Sequence, residues 1–294
     1  MSSQTPIIHP LFHASTSTYQ YLVADPTTLS AAIIDPVLDY DPSTNTVSTT
    51  SADAILDIVH NNKYTVTHLL ETHAHADHLT AAYYLKTQLS NSPSPPRQIC
   101  IGKRITTIQQ RFAEKYGVDK KEWENVFDVL WEDGQEFNVG ELKGKVIWLP
   151  GHTEDSCGYL FGENIFTGDS IFNPDVGSAR CDFPGGDAEK LFQTSQTLLS
   201  FPENYKIYTG HDYPPGGNSG RTEPLPYTTV SEQQQQNKHL KAGTQKQDFV
   251  KWRTERDGML GEPRLLHQAL QVNIRGGRMP GDGFLKVPVK GLKL

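Results

Sequence analysis

One heptapeptide constrains this chain more than any other feature: Thr72-His73-Ala74-His75-Ala76-Asp77-His78. It follows directly on the apolar run Val66 to Leu70 and precedes a helical pattern over Leu79 to Leu89. A strand handing over to a helix is where open α/β folds gather ligands. Imidazole and carboxylate are ligands that zinc, iron and manganese all accept. A closed structural zinc site is built mostly of cysteine. This cluster has none, so it points to a catalytic metal with a position open to a reactant. In a loop, the alternate residues His73 and His75 face one metal position, while Asp77 and His78 turn toward a neighbouring one.

Three more strand ends repeat the arrangement. Lys145 to Pro150 runs into Gly151-His152-Thr153, Asn164 to Thr167 into Gly168-Asp169-Ser170, and Lys206 to Thr209 into Gly210-His211-Asp212. In each, a glycine permits a sharp turn just before the polar side chain. Singly these are ordinary turn chemistry; four strand ends delivering His or Asp in this order are not. The candidate ligands are His73, His75, Asp77, His78, His152, Asp169 and His211. Apolar runs at Tyr19 to Val23 and Ala31 to Ile34, and helical patterns at Ala52 to Asn61, Ile105 to Tyr116, Asp187 to Leu199 and Gln247 to Met259, alternate along the chain. That alternation predicts an α/β sandwich. Asp41 to Asp53, Ser90 to Pro96 and Pro214 to Pro226 read as loops. The run Gln233 to Gln236 reads as the solvated face of a helix within Val230 to Lys241. Phe249, Trp252, Met259 and Leu260 recur at helical spacing and read as packing residues.

The formal charge of -7 argues against a general nucleic-acid surface and against a membrane surface of anionic lipid. No run approaches the roughly 18 apolar residues of a membrane-crossing helix. The N-terminus lacks a basic start followed by an apolar run, so a secretory signal is not expected. Cys100, Cys157 and Cys181 are an odd number and too few for a disulfide framework. A reducing compartment follows, cytoplasmic by expectation, with mitochondria left open. Cys100 reads as strand interior and Cys157 as a small buried hydrophobe, although the thiol of either Cys157 or Cys181 can face the pocket. His9, His13, His60, His239 and His267 lack ligand spacing and read as structural or solvated. The expected organisation is a single domain over 1–294, with a C-terminal extension of about 245–294 packed on it.

In the order His-x-His-x-Asp-His, Gly-His-Thr, Thr-Gly-Asp and Gly-His-Asp-Tyr, the chain resembles the metallo-β-lactamase superfamily from about Thr18 to Tyr213. The resemblance implies an αββα four-layer sandwich with the metal at one edge of the facing sheets. Asp35, after Ala32-Ile33-Ile34, looks like the acidic residue that ends an early strand there and supports the motif loop. Within the superfamily, Thr72 to His78 and Phe166-Thr167-Gly168-Asp169 look like the persulfide dioxygenases and their glyoxalase II relatives. Val176 to Phe183 is similar to the Gly-(x)-Arg-x-Asp-Phe loop of persulfide dioxygenases, above all to a bacterial subgroup carrying Ala-Arg-Cys-Asp-Phe-Pro-Gly-Gly-Asp. Leu270-Gln271-Val272-Asn273 is similar to the same subgroup.

That branch implies one Fe(II) held by His73, His152 and Asp169, the facial set of two histidines and a carboxylate that leaves positions for substrate and oxygen. His75, Asp77, His78 and His211 would orient ligands or pass protons, with Asp77 and His78 as the catalytic candidates. The implied reaction oxidises a small anionic substrate, glutathione persulfide, to sulfite with O₂; Arg180 would contact the anion and Tyr213 would line the pocket. A longer loop between Asp169 and Arg180, containing Asn173-Pro174-Asp175, departs from the animal and plant type. The same ligands also suit a dinuclear metallohydrolase with two Zn(II) or Mn(II). His73, His75 and His152 would hold one metal, Asp77, His78 and His211 the other, and Asp169 would bridge, for a thioester, lactone or lactam substrate. The Arg180-Cys181-Asp182-Phe183 loop favours the dioxygenase. Family precedent and the apolar patches after Gly261 imply a homodimer.

Overall fold

Several strands of this chain are apolar on both faces, and that pattern needs a covering layer on each side. The computed structural model, which describes residues 5–90, 96–216 and 220–281, supplies both. One six-stranded sheet runs in the order β1 (Ile7–His13), β2 (Thr18–Ala24), β3 (Ser30–Ile34), β6 (Thr65–Leu70), β8 (Gln98–Gly102) and β9 (Val129–Trp131). Its first three strands are antiparallel, and β3, β6, β8 and β9 are parallel. Parallel neighbours need crossovers, and these carry α1 (Thr50–Asn61), α2 (Ala82–Leu89), α3 (Ile105–Tyr116) and the short α4 (Lys120–Trp123). A small third sheet joins β4 (Val37–Asp41), β5 (Thr46–Ser48) and β7 (Leu79–Thr80).

The second six-stranded sheet follows chain order: β10 (Glu136–Val139), β11 (Leu142–Trp148), β12 (Cys157–Phe161), β13 (Asn164–Phe166), β14 (Lys206–Tyr208) and β15 (Tyr227–Thr229). All its pairs are antiparallel except β13 with β14, whose crossover carries α5 (Ala188–Leu199). The chain continues through α6 (Val230–Gln236), α7 (Lys246–Asp257) and α8 (Leu266–Asn273).

The two-residue period of a strand sorts side chains between cores. Tyr19, Tyr21 and Val23 of β2, Ile34 of β3 and Leu70 of β6 meet Val146, Tyr159, Phe161, Phe166 and Tyr208 between the sheets. Leu22, Ile33, Leu69, Ile99 and Ile101 point the other way, under α1, α2, α3 and α8. Ile165 and Ile207 point out of the second sheet against Leu191, Leu198, Val230 and Phe249 of α5, α6 and α7. Three cores separate four layers, the expected αββα sandwich. The tail residues α7 and α8 serve opposite outer layers; residues 282–294 of the expected extension lie outside the described residues.

Four local expectations need correction. Leu79 and Thr80 do not open the helix: Leu79 pairs with Leu38, and the Thr80 N–H is taken by Asn273 at 2.9 Å, so α2 begins at Ala82. Asp41 to Asp53 is no plain loop. The Asp41 carboxylate accepts from Ser43 and Thr44, Asn45 takes a left-handed φ of 55°, and the segment closes as the β4–β5 hairpin before α1. Gln233 is buried, its amide donating to the Phe172 carbonyl and the Thr228 hydroxyl, so only part of the glutamine run faces water. Met259 is 76% exposed because α7 stops at Asp257 and the helical register ends with it. Residues 91–95 and 217–219 of the other two expected loops lie outside the described residues; around the latter, Arg221 is tied to Asp175 and Asp212.

Candidate metal centre

The four motif loops leave β6, β11, β13 and β14 at one edge of the facing sheets. Main-chain bonds cross between the sheets there: Tyr19 N–H to the Gly210 carbonyl and Cys157 N–H to the Thr72 carbonyl, both 2.8 Å, and Asp212 N–H to the Ser17 carbonyl at 3.1 Å. Loop Thr72 to His78 makes no regular ladder, so its buried backbone groups need other partners. Asp35 Oδ1 accepts the Thr72 N–H at 2.7 Å and its Oδ2 the Thr72 hydroxyl at 2.8 Å, the supporting role expected of it. Asp155 Oδ2 accepts the Ala74 N–H at 2.8 Å. Asn273 donates to the carbonyls of His75 and His78 at 2.8 and 2.9 Å. The sequence does not single out Glu71 and Asp155, and Asn273 stands there only within the Leu270 to Asn273 resemblance, because nothing in it shows which backbone or side-chain groups these residues meet.

These anchors fix the imidazoles. The Thr72 hydroxyl gives its proton to Asp35, so the His73 Nδ1–H donates to the Thr72 oxygen at 3.0 Å and Nε2 keeps its lone pair. The His152 Nδ1–H donates to the Arg180 carbonyl at 2.8 Å, and the His211 Nδ1–H to that of Ser17 at 3.0 Å. Each bond leaves Nε2 as the atom available to a ligand position, which is how partners of metal-binding histidines set the ligand atom. His211 Nε2 also lies between the carboxylates of Asp77 and Asp169. Asp169 arrives through Gly168, whose φ of 50° is left-handed and where a Cβ would lie 2.4 Å from the Thr72 hydroxyl. At Gly210 a Cβ would lie 2.5 Å from Asp169 Oδ1.

One ligand atom each from His73, His152 and Asp169 lie within 4.8 Å of one another, as do atoms from His75, Asp77 and His78. Buried His73 Nε2, His78 Nε2 and Asp169 Oδ1 find no hydrogen-bond partner among the described residues. Orphaned buried atoms of this kind, all lone-pair donors, fit a bound metal ion. Glu71 Oε2 is orphaned too, as is each ring nitrogen of His75. His75 Nε2 faces Asp35 Oδ1 at 3.0 Å and Glu71 Oε2 at 3.4 Å. His211 Nε2 lies 3.3 Å from Asp77 Oδ2 and 3.4 Å from Asp169 Oδ2, and His78 Nδ1 lies 2.9 Å from Asp77.

Electrostatics separate His73 from His75 and from His211. Burial would lower His211, but Asp169, Tyr213 and Asp77 outweigh it and raise that imidazole well above its usual value. Burial holds His73 well below its ordinary pKa, and His75 pushes the same way, so His73 stays neutral. Burial alone would lower His75, but Asp35 and Glu71 outweigh it and raise that imidazole well above its usual value. Burial would raise Asp169, yet His211 and His152 outweigh it and keep the carboxyl ionised.

A cleft of about 670 Å³ opens over these groups, floored by Asp77, His152, Asp169 and His211. Tyr213 lines it and stacks on His211 with centroids 5.7 Å apart. Arg180 also lines it, but its guanidinium binds Asp182 at 2.5 and 2.6 Å and the Gly261 carbonyl at 2.9 Å. Lys238 and Arg256, two further lining cations, are exposed and make no ion pair among the described residues. His239, read as structural or solvated, lines the cleft too and stacks on Trp252 at 3.4 Å. Cys157 is buried in the core between the sheets and Cys181 under α5 and α7; neither lines the cleft.

The chain is similar to known proteins along most of its length. The Metallo-beta-lactamase superfamily model matches residues 16–211. The chain is 43% identical over 300 residues to the Beta-lactamase hydrolase-like protein of Xylella fastidiosa, covering 99% of this chain and 66% of that one, so it spans about two thirds of that relative. It is 39% identical over 285 residues to Glyoxylase B2 of Dictyostelium discoideum, with 94% of each chain covered. The mitochondrial Persulfide dioxygenase ETHE1 of Bos taurus is 26% identical over 92% of this chain and 89% of its own. The crystal structure of ETHE1 from Myxococcus xanthus matches with a TM-score of 0.72 at 28% identity, covering 92% of this chain and all of that one. The chain belongs to the metallo-beta-lactamase superfamily, and its likeness to Glyoxylase B2 and to the two ETHE1 proteins supports the persulfide dioxygenase and glyoxalase II-like branch.

Proposed function

We propose that the protein is a mononuclear iron dioxygenase that oxidises glutathione persulfide to sulfite. The observation that carries the reading is the separation of the ligand atoms. Ligand atoms of His73, His152 and Asp169 lie within 4.8 Å of one another, two histidines and a carboxylate that suit iron, while His75 Nε2, which a first zinc site would need, lies 3.0 Å from Asp35 and 3.4 Å from Glu71. Iron bound there would supply the one-electron and O₂ chemistry that side chains lack. The chain's own residues do the rest. Thr72 and the Arg180 carbonyl orient the two imidazoles. Asp77, 29% exposed and in contact with both His78 and His211, is placed to hold or pass a proton at the cleft floor. Arg180 is spoken for by Asp182, so the anionic ends of the substrate fall to Lys238 and Arg256, which also line the cleft with Tyr213.

A dinuclear hydrolase is the second reading, favoured by the His75, Asp77 and His78 grouping and by the hydrolase-like name of the Xylella relative. Metal analysis of anaerobically purified protein, run beside oxygen uptake with glutathione persulfide, separates the two. About one iron per chain with substrate-dependent uptake is the expected outcome, and His152→Ala and Asp169→Ala should each lose metal and uptake together. Nearly two zinc or manganese per chain, no uptake, and turnover of a thioester, lactone or lactam would replace the dioxygenase with the hydrolase.

A further inference from the structure

The loop that carries His73, His75, Asp77 and His78 is held at its far end by one side chain distant in sequence. Asn273, the last residue of α8 and 4% exposed, donates its two amide hydrogens to the His75 carbonyl at 2.8 Å and the His78 carbonyl at 2.9 Å. Its Oδ1 accepts the Thr80 N–H at 2.9 Å. Two carbonyl neighbours and one N–H neighbour fix which amide atom is oxygen. The three groups span the backbone from His75 to Thr80, on both sides of Asp77. We infer that Asn273 is a positioning residue for the metal centre: it sets the backbone from His75 to Thr80, and so where the side chains of that loop sit against the metal. The inference rests on the metal assignment above.

Each replacement has a definite defect. Alanine or leucine leaves three buried polar groups unpaired. Aspartate keeps the acceptor for Thr80 but sets oxygens against the His75 and His78 carbonyls. Asparagine alone among residues of this size offers two donors and an acceptor in one plane. The segment that presents it is itself fastened: Gln109 donates to the Ile274 carbonyl at 2.9 Å, and Arg275 binds Glu122 Oε2 at 2.9 and 3.0 Å. At Gly277 a Cβ would come within 3.3 Å of Thr80. The tail thus reaches across to the loop that opens the metal centre, although it contributes no ligand.

The test loads the full chain with Co(II) in competition with a chromophoric chelator, for wild type, Asn273→Ala, Asn273→Asp and Glu122→Gln. Affinity, the cobalt visible spectrum and the melting temperature are read for each. Folded Asn273→Asp and Asn273→Ala should bind Co(II) about 10-fold or more weakly, with an altered visible spectrum, as loss of a ligand-orienting partner does. Glu122→Gln, which loosens the same tail but leaves the three amide bonds, should lower the melting temperature and leave cobalt affinity unchanged. Should Asn273→Ala not fold, the nearly isosteric Asn273→Asp still gives the reading. Wild-type affinity and spectrum in Asn273→Asp overturn the inference, and so does an equal loss in Glu122→Gln, which would trace the effect to the tail's general fit. A wild-type chain that takes up no cobalt overturns the ligand assignment itself, and this inference with it.

Discussion

His75 belongs to the histidine motif by spacing and to two buried carboxylates by contact, and the difference matters for how single residues are read here. Spacing placed His73 and His75 on one metal; in the fold the second also lies against Asp35 and Glu71. Arg180 is a parallel case, its guanidinium closed off by Asp182 while its carbonyl orients His152. For substrate contact we therefore look to Lys238 and Arg256. Lys238→Ala and Arg256→Ala should each raise KM for an anionic substrate by up to about fivefold, with kcat and metal content kept, since an exposed ionic contact is worth about 1 kcal/mol at most. Steady-state kinetics at low and high salt checks this, and the effect should shrink at high salt. His239 offers a pH test. Burial first, then Lys238 and Arg253, lowers its pKa to about 4. An unfolded histidine titrates at about 6.5, so between these limits the unfolded chain binds the extra proton. The contribution of His239 is complete above about pH 6.5 and is lost as pH falls toward 4. Urea unfolding at pH 4.5 and 7 should show a smaller pH difference in His239→Asn than in wild type.

At the scale of elements, capping shows how helices are tied to the site. Asp187 caps α5 through the N–H groups of Glu189 and Lys190, and its own N–H donates to the Gly151 carbonyl beside His152. Asp187→Ala should cost about 1 kcal/mol, seen as a lower urea midpoint, while metal content stays unchanged because the backbone bond to Gly151 remains. The strands feeding the site were legible because their signal is local: an apolar run, a glycine, then His or Asp. So were α3 and α5, whose ends agree with the expected patterns to within a residue. The failures share one physical cause. Leu79 and Thr80 look helical until Leu38 and Asn273, distant in sequence, claim their backbone. Asp41 to Ser48 looks like a loop until side-chain bonds from one aspartate turn it into a hairpin. The same holds at the site, where Asp155 and Asn273 matter only through backbone groups that the fold brings to them.

The molecule as a whole consists of two sheets whose shared aromatic core ends at the metal edge. His73 comes from a loop of the first sheet, His152 and Asp169 from loops of the second. A metal held by all three is therefore a reversible crosslink. It closes the long stretch of chain from His73 to Asp169 into a loop, and clips over such spans gain most from the restricted unfolded chain. Since only the folded chain assembles the three ligands, stability should climb with free metal, by about 2.7 kcal/mol at a hundred times the dissociation constant. Melting curves across a metal titration, and after chelation, check this; a melting temperature indifferent to metal would mean the ligands never meet. Stripped of metal, the chain should part first along the seam between its sheets. The amides of Tyr19 and Cys157, which bridge that seam at the metal edge, should then be the first inter-sheet protons to exchange with solvent.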